Sequence, residues 1–251
     1  MTGAVMSFER VSKRFGGIQA LSGLSFDVLA GEILGIIGPN GAGKSVMINV
    51  ASGVYAADEG RIMHRGRDIT ALAAHQRGRA GIARTFQNIR LFRRMTVLEN
   101  VLVADKAHVR RPFGSLLSFR RRGAEITAGL ARLAHMRLAD KADQLAGALP
   151  YGDARRLEIA RALAGEPSVL FLDEPAAGMN DRETEDLMAD IRACRDRVDA
   201  IVVVEHDIAL LRVLSDRLVA MNYGTLIAEG TPEAVLAHPE VVSSYLGTPE
   251  A

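Results

Sequence analysis

Residues 38–45 read Gly38-Pro39-Asn40-Gly41-Ala42-Gly43-Lys44-Ser45, the spacing Gly-x-x-x-x-Gly-Lys-Ser/Thr. Glycines let successive backbone N–H groups turn toward one point, and a helix that follows adds its positive end, so the pattern suits a phosphate. Lys44 supplies a point charge for the β- and γ-phosphates, and the Ser45 hydroxyl supplies an oxygen for Mg²⁺. A Gly-rich turn can match this spacing by chance. The discriminating context is a strand before and an apolar helix after, and both are legible here. A second cluster is Val169-Leu170-Phe171-Leu172-Asp173-Glu174, four apolar residues followed by two carboxylates. Such a strand delivers both acids at its C-terminal edge, where open α/β sheets bind ligands. Asp173 then suits Mg²⁺, and Glu174 suits orienting or deprotonating an attacking water as general base. Together these residues predict a nucleoside triphosphatase.

The elements that must position them follow from the apolar pattern. Strand-like runs occur at Met6–Val11, Leu24–Val28, Ile33–Ile37, Val169–Leu172, Ile201–Val204 and Arg217–Asn222, with helices starting near Lys44, Asp181 and Asp207. Continuous apolar runs such as Ile201–Val204 suit parallel strands buried on both faces. Leu187, Met188, Ile191 and Cys194 share one helix face, and Asn180 and Asp207 suit N-caps. The fold class is therefore α/β with a mainly parallel sheet. Residues 1–30 and 60–69 read as an antiparallel β-subdomain. Residues from about Thr96 to Arg161 read as a helical subdomain with a turn at Pro112–Gly114. The expected division is a nucleotide-binding core with β-subdomain over 1–86 and 162–251, and a helical subdomain over 87–161.

Bulk properties narrow the classes. Lys plus Arg number 31 and Asp plus Glu 30 in 251 residues, a formal net charge of +1 that gives no global attraction to nucleic acid. Cys194 is the only cysteine, so an internal disulfide or four-thiolate zinc site is excluded, which fits a reducing compartment. No run approaches the roughly 18 apolar residues of a membrane span, and no signal-peptide core is present. Work at a membrane would require a partner.

With what lies between them, these motifs resemble the ATP-binding cassette (ABC) family through essentially the whole chain. The resemblance implies a P-loop nucleoside triphosphatase fold, ATP and Mg²⁺ as cofactors, and ATP hydrolysis coupled to transport. It implies that Phe15 stacks on adenine, a contact worth roughly 1–3 kcal/mol, while the residue by itself also suits a simple core side chain. Residues 38–45 bind ATP on this reading, and Gln87 is the Q-loop residue touching Mg²⁺ and water. His206, after the strand Ile201–Val204 and Glu205, is the switch histidine at the γ-phosphate. His64, His75, His108, His135 and His238 lack such a setting and read as surface or filler. The signature loop, usually Leu-Ser-Gly-Gly-Gln and acting on a partner's ATP, corresponds to Leu149, Pro150, Tyr151, Gly152 and Asp153. Pro150 removes a hydroxyl and an N–H, and Asp153 brings a negative charge to a phosphate-facing loop. In the D-loop, Ala177-Gly178-Met179-Asn180 stands where Ser-Ala-Leu-Asp is usual, so Asn180 keeps a hydrogen-bonding group without the charge.

The tyrosine in that loop, the run Arg84–Phe92, the segment Asp173–Gly178 and the Ser-Tyr-Leu-Gly tail look like ATP-binding subunits of branched-chain amino acid importers. Systems for related amino acids, amides or urea share much of this. The implied partners are a second ABC ATPase subunit, identical or paralogous, transmembrane permease subunits and, indirectly, a solute-binding protein, with no nucleic acid. The implied location is the cytoplasmic face of the cell membrane. Residues 110–122 hold five arginines and no acid. They resemble an extra stretch of one paralogous subunit, and suit either a solvated loop or contact with a membrane subunit or anionic headgroups. The rival classes are a soluble ABC-type ATPase not coupled to transport, and a P-loop kinase or GTPase. The first commonly carries a coiled-coil insertion or tandem cassette, the second lacks a signature helix, and a GTPase needs an Asn-Lys-x-Asp motif. This chain has none of the features that either rival adds.

Overall fold

The computed structural model describes residues 3–105 and 119–246. The turn at Pro112–Gly114 and most of the arginine-rich stretch 110–122 lie outside the described residues, as does Gly247 of the tail. The chain divides into two compact units. The first comprises residues 1–84, 168–175 and 198–251, and the second residues 85–167 and 176–197. Residues 85–86, 162–167 and 176–197, counted with the core in the sequence reading, thus fall in the second unit.

In the first unit, a four-stranded antiparallel sheet has the order β2 (Ile18–Leu29), β1 (Ala4–Phe15), β4 (Glu59–His64), β5 (Arg67–Asp68). A six-stranded sheet runs β10 (Thr225–Gly230), β9 (Arg217–Asn222), β3 (Ile33–Ile37), β8 (Ala200–Val204), β7 (Val169–Asp173), β6 (Ile82–Arg84). Five of these pair in parallel, and β10 closes the edge as an antiparallel hairpin with β9. Strands β3, β7 and β8 are buried along their whole length, as their unbroken apolar runs require. Phe8 and Phe26 stack across the antiparallel sheet with ring centroids 4.5 Å apart, within a core that also takes in Phe171 and Val202. Helices α1 (Lys44–Ala51), α2 (Ala74–Ala80), α7 (Ile208–Leu214), α8 (Pro232–Leu236) and α9 (Pro239–Leu246) belong to the same unit.

In the second unit, the helices are α3 (Val97–Ala104), α4 (Phe119–His135), α5 (Tyr151–Ala164) and α6 (Asp181–Ala193). Helix α6 starts as expected at Asn180, whose side chain accepts from the Glu183 N–H at 3.0 Å while Glu183 accepts from the Asn180 N–H at 3.1 Å. Asp207 likewise caps α7, accepting from the Leu210 N–H at 3.1 Å. Cys194 stands at the C-terminal cap of α6 and is buried, and burial pushes its thiol up to about 11.

One polar knot in the first unit ties the two sheets together. Ser168, just before β7, donates its hydroxyl to the Gly81 carbonyl at 3.0 Å and meets His64 Nε2 of β4 at 2.7 Å. With the hydroxyl proton committed to Gly81, Nε2 must be the protonated nitrogen of a neutral ring. Burial pulls the His64 pKa below its ordinary 6.5, and neighbouring Arg65 adds to the shift. The unfolded chain therefore binds this proton more readily than the native state. The neutral-ring contribution is fully present above about pH 6.5 and is lost as pH falls through the lower native pKa. Urea unfolding should show stability falling from pH 7 to pH 5.5, and His64→Gln, which retains a donor for Ser168, should flatten that slope.

Candidate active site

The parallel register brings four chain segments to one edge of the large sheet. Ile36 of β3 and Asp173 of β7 both align with Val204 of β8, and Ile37 aligns with Ala220 of β9. The C-terminal ends of these strands therefore present residues 38–43, the pair Asp173–Glu174, the pair Glu205–His206 and the turn Asn222–Thr225 along a common border. Strand order 3-8-7 leaves β8 between the glycine loop and the acids.

The glycine loop leads into α1, whose N-cap is Gly43, a residue with no side chain to occupy the first-turn amides. Gly43 has φ of 98°, and a Cβ there would lie 2.6 Å from the Ala20 carbonyl oxygen and 3.3 Å from the Gly224 Cα. Only glycine combines that dihedral with such close backbone approach. The loop is braced from outside, with Gly224 N–H donating to the Ala42 carbonyl at 3.0 Å and Ser22 N–H to the Gly224 carbonyl at 2.9 Å. Amides gathered at a helix N-terminus form an anion cradle, and a Cβ on Gly43 could enter it only by displacing backbone.

Lys44 is largely buried and donates to the carbonyls of Gly38 and, at 3.0 Å, Pro39. Burial pulls its pKa below the usual lysine value, while the Glu174 and Asp173 carboxylates push it back up. Lys44, Asp173 and Glu174 thus form one electrostatic group, brought together as the motifs predict. Asp173 is only 6% exposed, and Arg84 Nη2 lies 3.5 Å from its Oδ2. The same guanidinium donates through Nη1 to Asn49 Oδ1 at 2.6 Å and Ser52 Oγ at 3.1 Å, both from the segment of α1 and its cap. Arg84 is absent from the sequence-derived site. As the last residue of a three-residue strand it leaves no periodic signal.

Glu174 sits at φ of 46° with its N–H donating to the Val204 carbonyl at 2.9 Å. A glutamate in the left-handed region carries backbone strain that the neighbouring ladder must hold, a habit of functional positions. His206 is exposed, its Nδ1 lying 3.7 Å from Glu205 Oε2. Phe15 ends β1 with 42% of its surface exposed, packs edge-on to Tyr55 at 5.1 Å and has Lys13 Nζ 5.4 Å from its ring centre. An exposed ring beside a second aromatic offers a face for a flat base.

Gln87, residues 149–153 and Asn180 belong to the second unit. Gln87 is exposed, and its carbonyl accepts from Arg155 Nη2 at 2.9 Å. Arg155 also donates to the Phe86 carbonyl at 2.8 Å and pairs with Glu158 at 2.9 Å, while Glu158 Oε1 accepts from the N–H groups of Phe86 and Arg90 at 3.4 and 3.3 Å. The helix that follows the signature loop therefore holds the Q-loop backbone, a link between residues about seventy apart that no local pattern announces. Leu149 and Tyr151 line a cavity of about 320 Å³ with Gln87, Ile89, Leu91 and Arg93. Pro150 is the N-cap of α5, and Tyr151 donates its hydroxyl to the Ala177 carbonyl at 2.8 Å. The Asp153 carboxylate pairs with Lys141 and, at 3.3 Å, with Arg156. The negative charge that the sequence assigns to the loop is thus offset within its own unit. The Asn180 side chain is committed to its cap.

The donor set also bears on metal binding. Among the described residues, no three or more His, Cys, Asp or Glu side chains gather as a metal cluster. Mg²⁺ keeps several waters and takes one or two protein oxygens beside phosphate oxygens, so Ser45 and Asp173, hard oxygen donors, fit it.

Comparison with known proteins follows the same lines. The ABC transporter family matches residues 21–177, and the family described as branched-chain amino acid ATP-binding cassette transporter matches residues 225–251. The chain is 40% identical over 253 residues to the high-affinity branched-chain amino acid transport ATP-binding protein BraF of Pseudomonas aeruginosa, covering 98% of this chain and 99% of that one. It is similar to the ADP conformation of an ATP-binding cassette of an ABC transporter, with TM-score 0.86 and 31% identity over 98% of this chain and 100% of that chain. A dimeric ATP-binding cassette in a post-hydrolysis state bound to ADP and Pi is similar at TM-score 0.76 and 25% identity, over 90% of this chain and 98% of that chain.

The loop geometry separates two alanine substitutions. Gly41→Ala meets only its φ of 84° with open space around the Cβ, and should cost about 1 kcal/mol in chemical unfolding. Gly43→Ala adds the clash with Ala20 and should cost about 3 kcal/mol or more.

Proposed function

The chain belongs to the ABC transporter family of ATP-binding cassettes, and we infer that it is the ATP-hydrolysing subunit of a membrane importer for branched-chain or related amino acids. The observation that carries the catalytic half is the shared sheet edge, with a phosphate loop after β3 and two adjacent carboxylates at the end of β7 close enough to Lys44 to act on its charge. The transport half draws on BraF, whose name assigns it to branched-chain amino acid transport, and on the matching C-terminal family over residues 225–251.

On this reading, the amides of residues 41–45 and the Lys44 ammonium bind the phosphates, and Phe15 packs against the adenine. A bound Mg²⁺ would supply charge neutralisation for the phosphate oxygens. Ser45 and Asp173 would hold it, with Arg84 orienting the Asp173 carboxylate. Glu174 takes the proton from the attacking water, and His206 reaches the γ-phosphate from the end of β8. Leu149, Pro150, Tyr151, Gly152 and Asp153 act on the ATP of a second ATPase subunit, as a paired cassette requires. With Asp153 neutralised by Lys141 and Arg156, the α5 N-terminus retains its anion-binding character. Asn180 serves the same interface by shaping the start of α6.

Permease subunits would dock at the cavity beside Gln87, since Arg155 and Glu158 hold the Q-loop backbone on the helix of the signature loop. Movement at that groove would then be felt by both loops. No helix among the described residues is long and apolar enough to cross a membrane, so attachment to the cytoplasmic face would run through the permeases. The soluble ABC-type ATPase is the weaker reading, because the relatives named above act in transport.

In an ATPase assay, Glu174→Gln should lower turnover by roughly 10²–10⁴ and accumulate an ATP-bound dimer on gel filtration. Wild-type turnover in that variant would remove Glu174 from catalysis. Lys44→Ala should abolish ATP binding, and an unchanged titration would refute the loop assignment. Ile89→Asp, which places a charge in the cavity, should leave the purified chain folded and able to bind ATP but abolish co-purification with the permeases. Intact complexes would move the docking surface elsewhere.

A further inference from the structure

The C-terminal helix α9 reaches the first residue of the phosphate loop. The buried backbone N–H of Gly38 donates to the Tyr245 hydroxyl at 2.7 Å, across 207 residues of sequence. Ile37 is the last β3 residue in register with β9, so the Gly38 amide has just left the ladder. A buried N–H at such a place needs a partner from elsewhere. On the other side Gly38 abuts β9, where an added Cβ would lie 2.3 Å from the Met221 carbonyl oxygen. The Gly38 carbonyl accepts from Lys44 Nζ. Two consecutive peptide groups are thus held by two side chains, the first by Tyr245 and the second by Lys44.

Tyr245 is itself fixed. Val241, four residues earlier and so on the same face of α9, is buried. Burial raises the Tyr245 pKa above 10.0, so the phenol is neutral at pH 7. The phenol oxygen that accepts from Gly38 therefore keeps one protonation state around neutral pH.

We infer that Tyr245 is a positioning residue of the phosphate loop, its hydroxyl setting the Gly38 amide and thereby the carbonyl on which Lys44 rests, so that docking of α9 tunes nucleotide affinity. This rests on residues 38–45 being the ATP loop, and it gives the tail a role that neither the phosphate motif nor the acids require. When ATP binds, the Lys44 ammonium exchanges the Gly38 and Pro39 carbonyls for phosphate oxygens. The starting position of that carbonyl decides how far it must travel. A loop without the Tyr245 contact has an unpaired amide at its root and rearranges to find another acceptor, water included.

The test uses the full chain and Tyr245→Phe, which keeps the ring and removes only the acceptor. ATP and ADP affinities are measured by fluorescent-nucleotide titration, amide exchange by mass spectrometry on a peptide covering Gly38, and stability by thermal unfolding. The expected result is a Kd for ATP raised roughly 3- to 30-fold, with faster exchange at Gly38 and turnover at saturating ATP within about twofold of wild type. Val241→Ala is the control for a merely structural role, since it loosens α9 without touching the hydroxyl. Tyr245→Phe should weaken ATP binding more than Val241→Ala does at an equal loss of thermal stability. Equal weakening in the two variants would overturn the proposal, as would unchanged affinity in Tyr245→Phe. Failure of the wild-type chain to bind ATP would overturn the reading of the loop itself, and the role of Tyr245 with it.

Discussion

The structure depends on keeping a short run of backbone amides folded inward against their own electrostatic preference. Parallel N–H dipoles pointed at one spot repel each other unless an anion or a rigid frame holds them. Here the frame comes from chain segments remote in sequence. The Ala20 carbonyl closes on Gly43, the Met221 carbonyl closes on Gly38, and Gly224 bonds the Ala42 carbonyl. Each approach is backbone against backbone, which leaves no rotamer to absorb a change. That explains why a hairpin from the antiparallel sheet and the β9–β10 turn both terminate at this loop.

The acids are governed by a different economy of space. Strand β7 is apolar until its final residue, so Asp173 enters at the point where the sheet stops and its burial is compensated by Arg84 and Lys44. Glu174 follows immediately, turned by its positive φ away from the strand direction while its N–H stays bonded to β8. Two neighbouring carboxylates thereby face different tasks: one is locked beside cations, and the other is aimed by the backbone. In the second unit the same division recurs with opposite sign. Arg155, fully buried, is spent on the carbonyls of Phe86 and Gln87, and the more accessible side chains are left at the groove.

Most of the fold was legible because its central strands are short, apolar and uninterrupted. Ile33–Ile37 and Arg217–Asn222 have the bounds read from sequence, and Val169–Leu172 and Ile201–Val204 each gain one residue. The long hairpin strands were underestimated, since Lys13, Arg14 and Gln19 are polar yet stay paired across register shifts. Strand β6 was missed because three residues carry no period, and β10 because its residues are half exposed beside β9. In the site, the motif residues stood out by type and spacing. Arg84, Tyr55, Arg155 and Tyr245 did not, because their significance is a partner many residues away. The charge of Asp153 looked out of place only while Lys141 and Arg156 were unseen as its neighbours.

Cys194 carries a practical consequence. A thiol that is 2% exposed, its pKa pushed up to about 11 by burial, presents almost no thiolate to reagents at neutral pH. With no other cysteine in the sequence, the folded natural chain should be nearly inert toward maleimides. A single cysteine introduced at an exposed surface position would then be the sole attachment point for a fluorophore or spin label, with the native core left untouched. The opening and closing of a paired cassette could be followed by such labels without first engineering a background free of sulfhydryls.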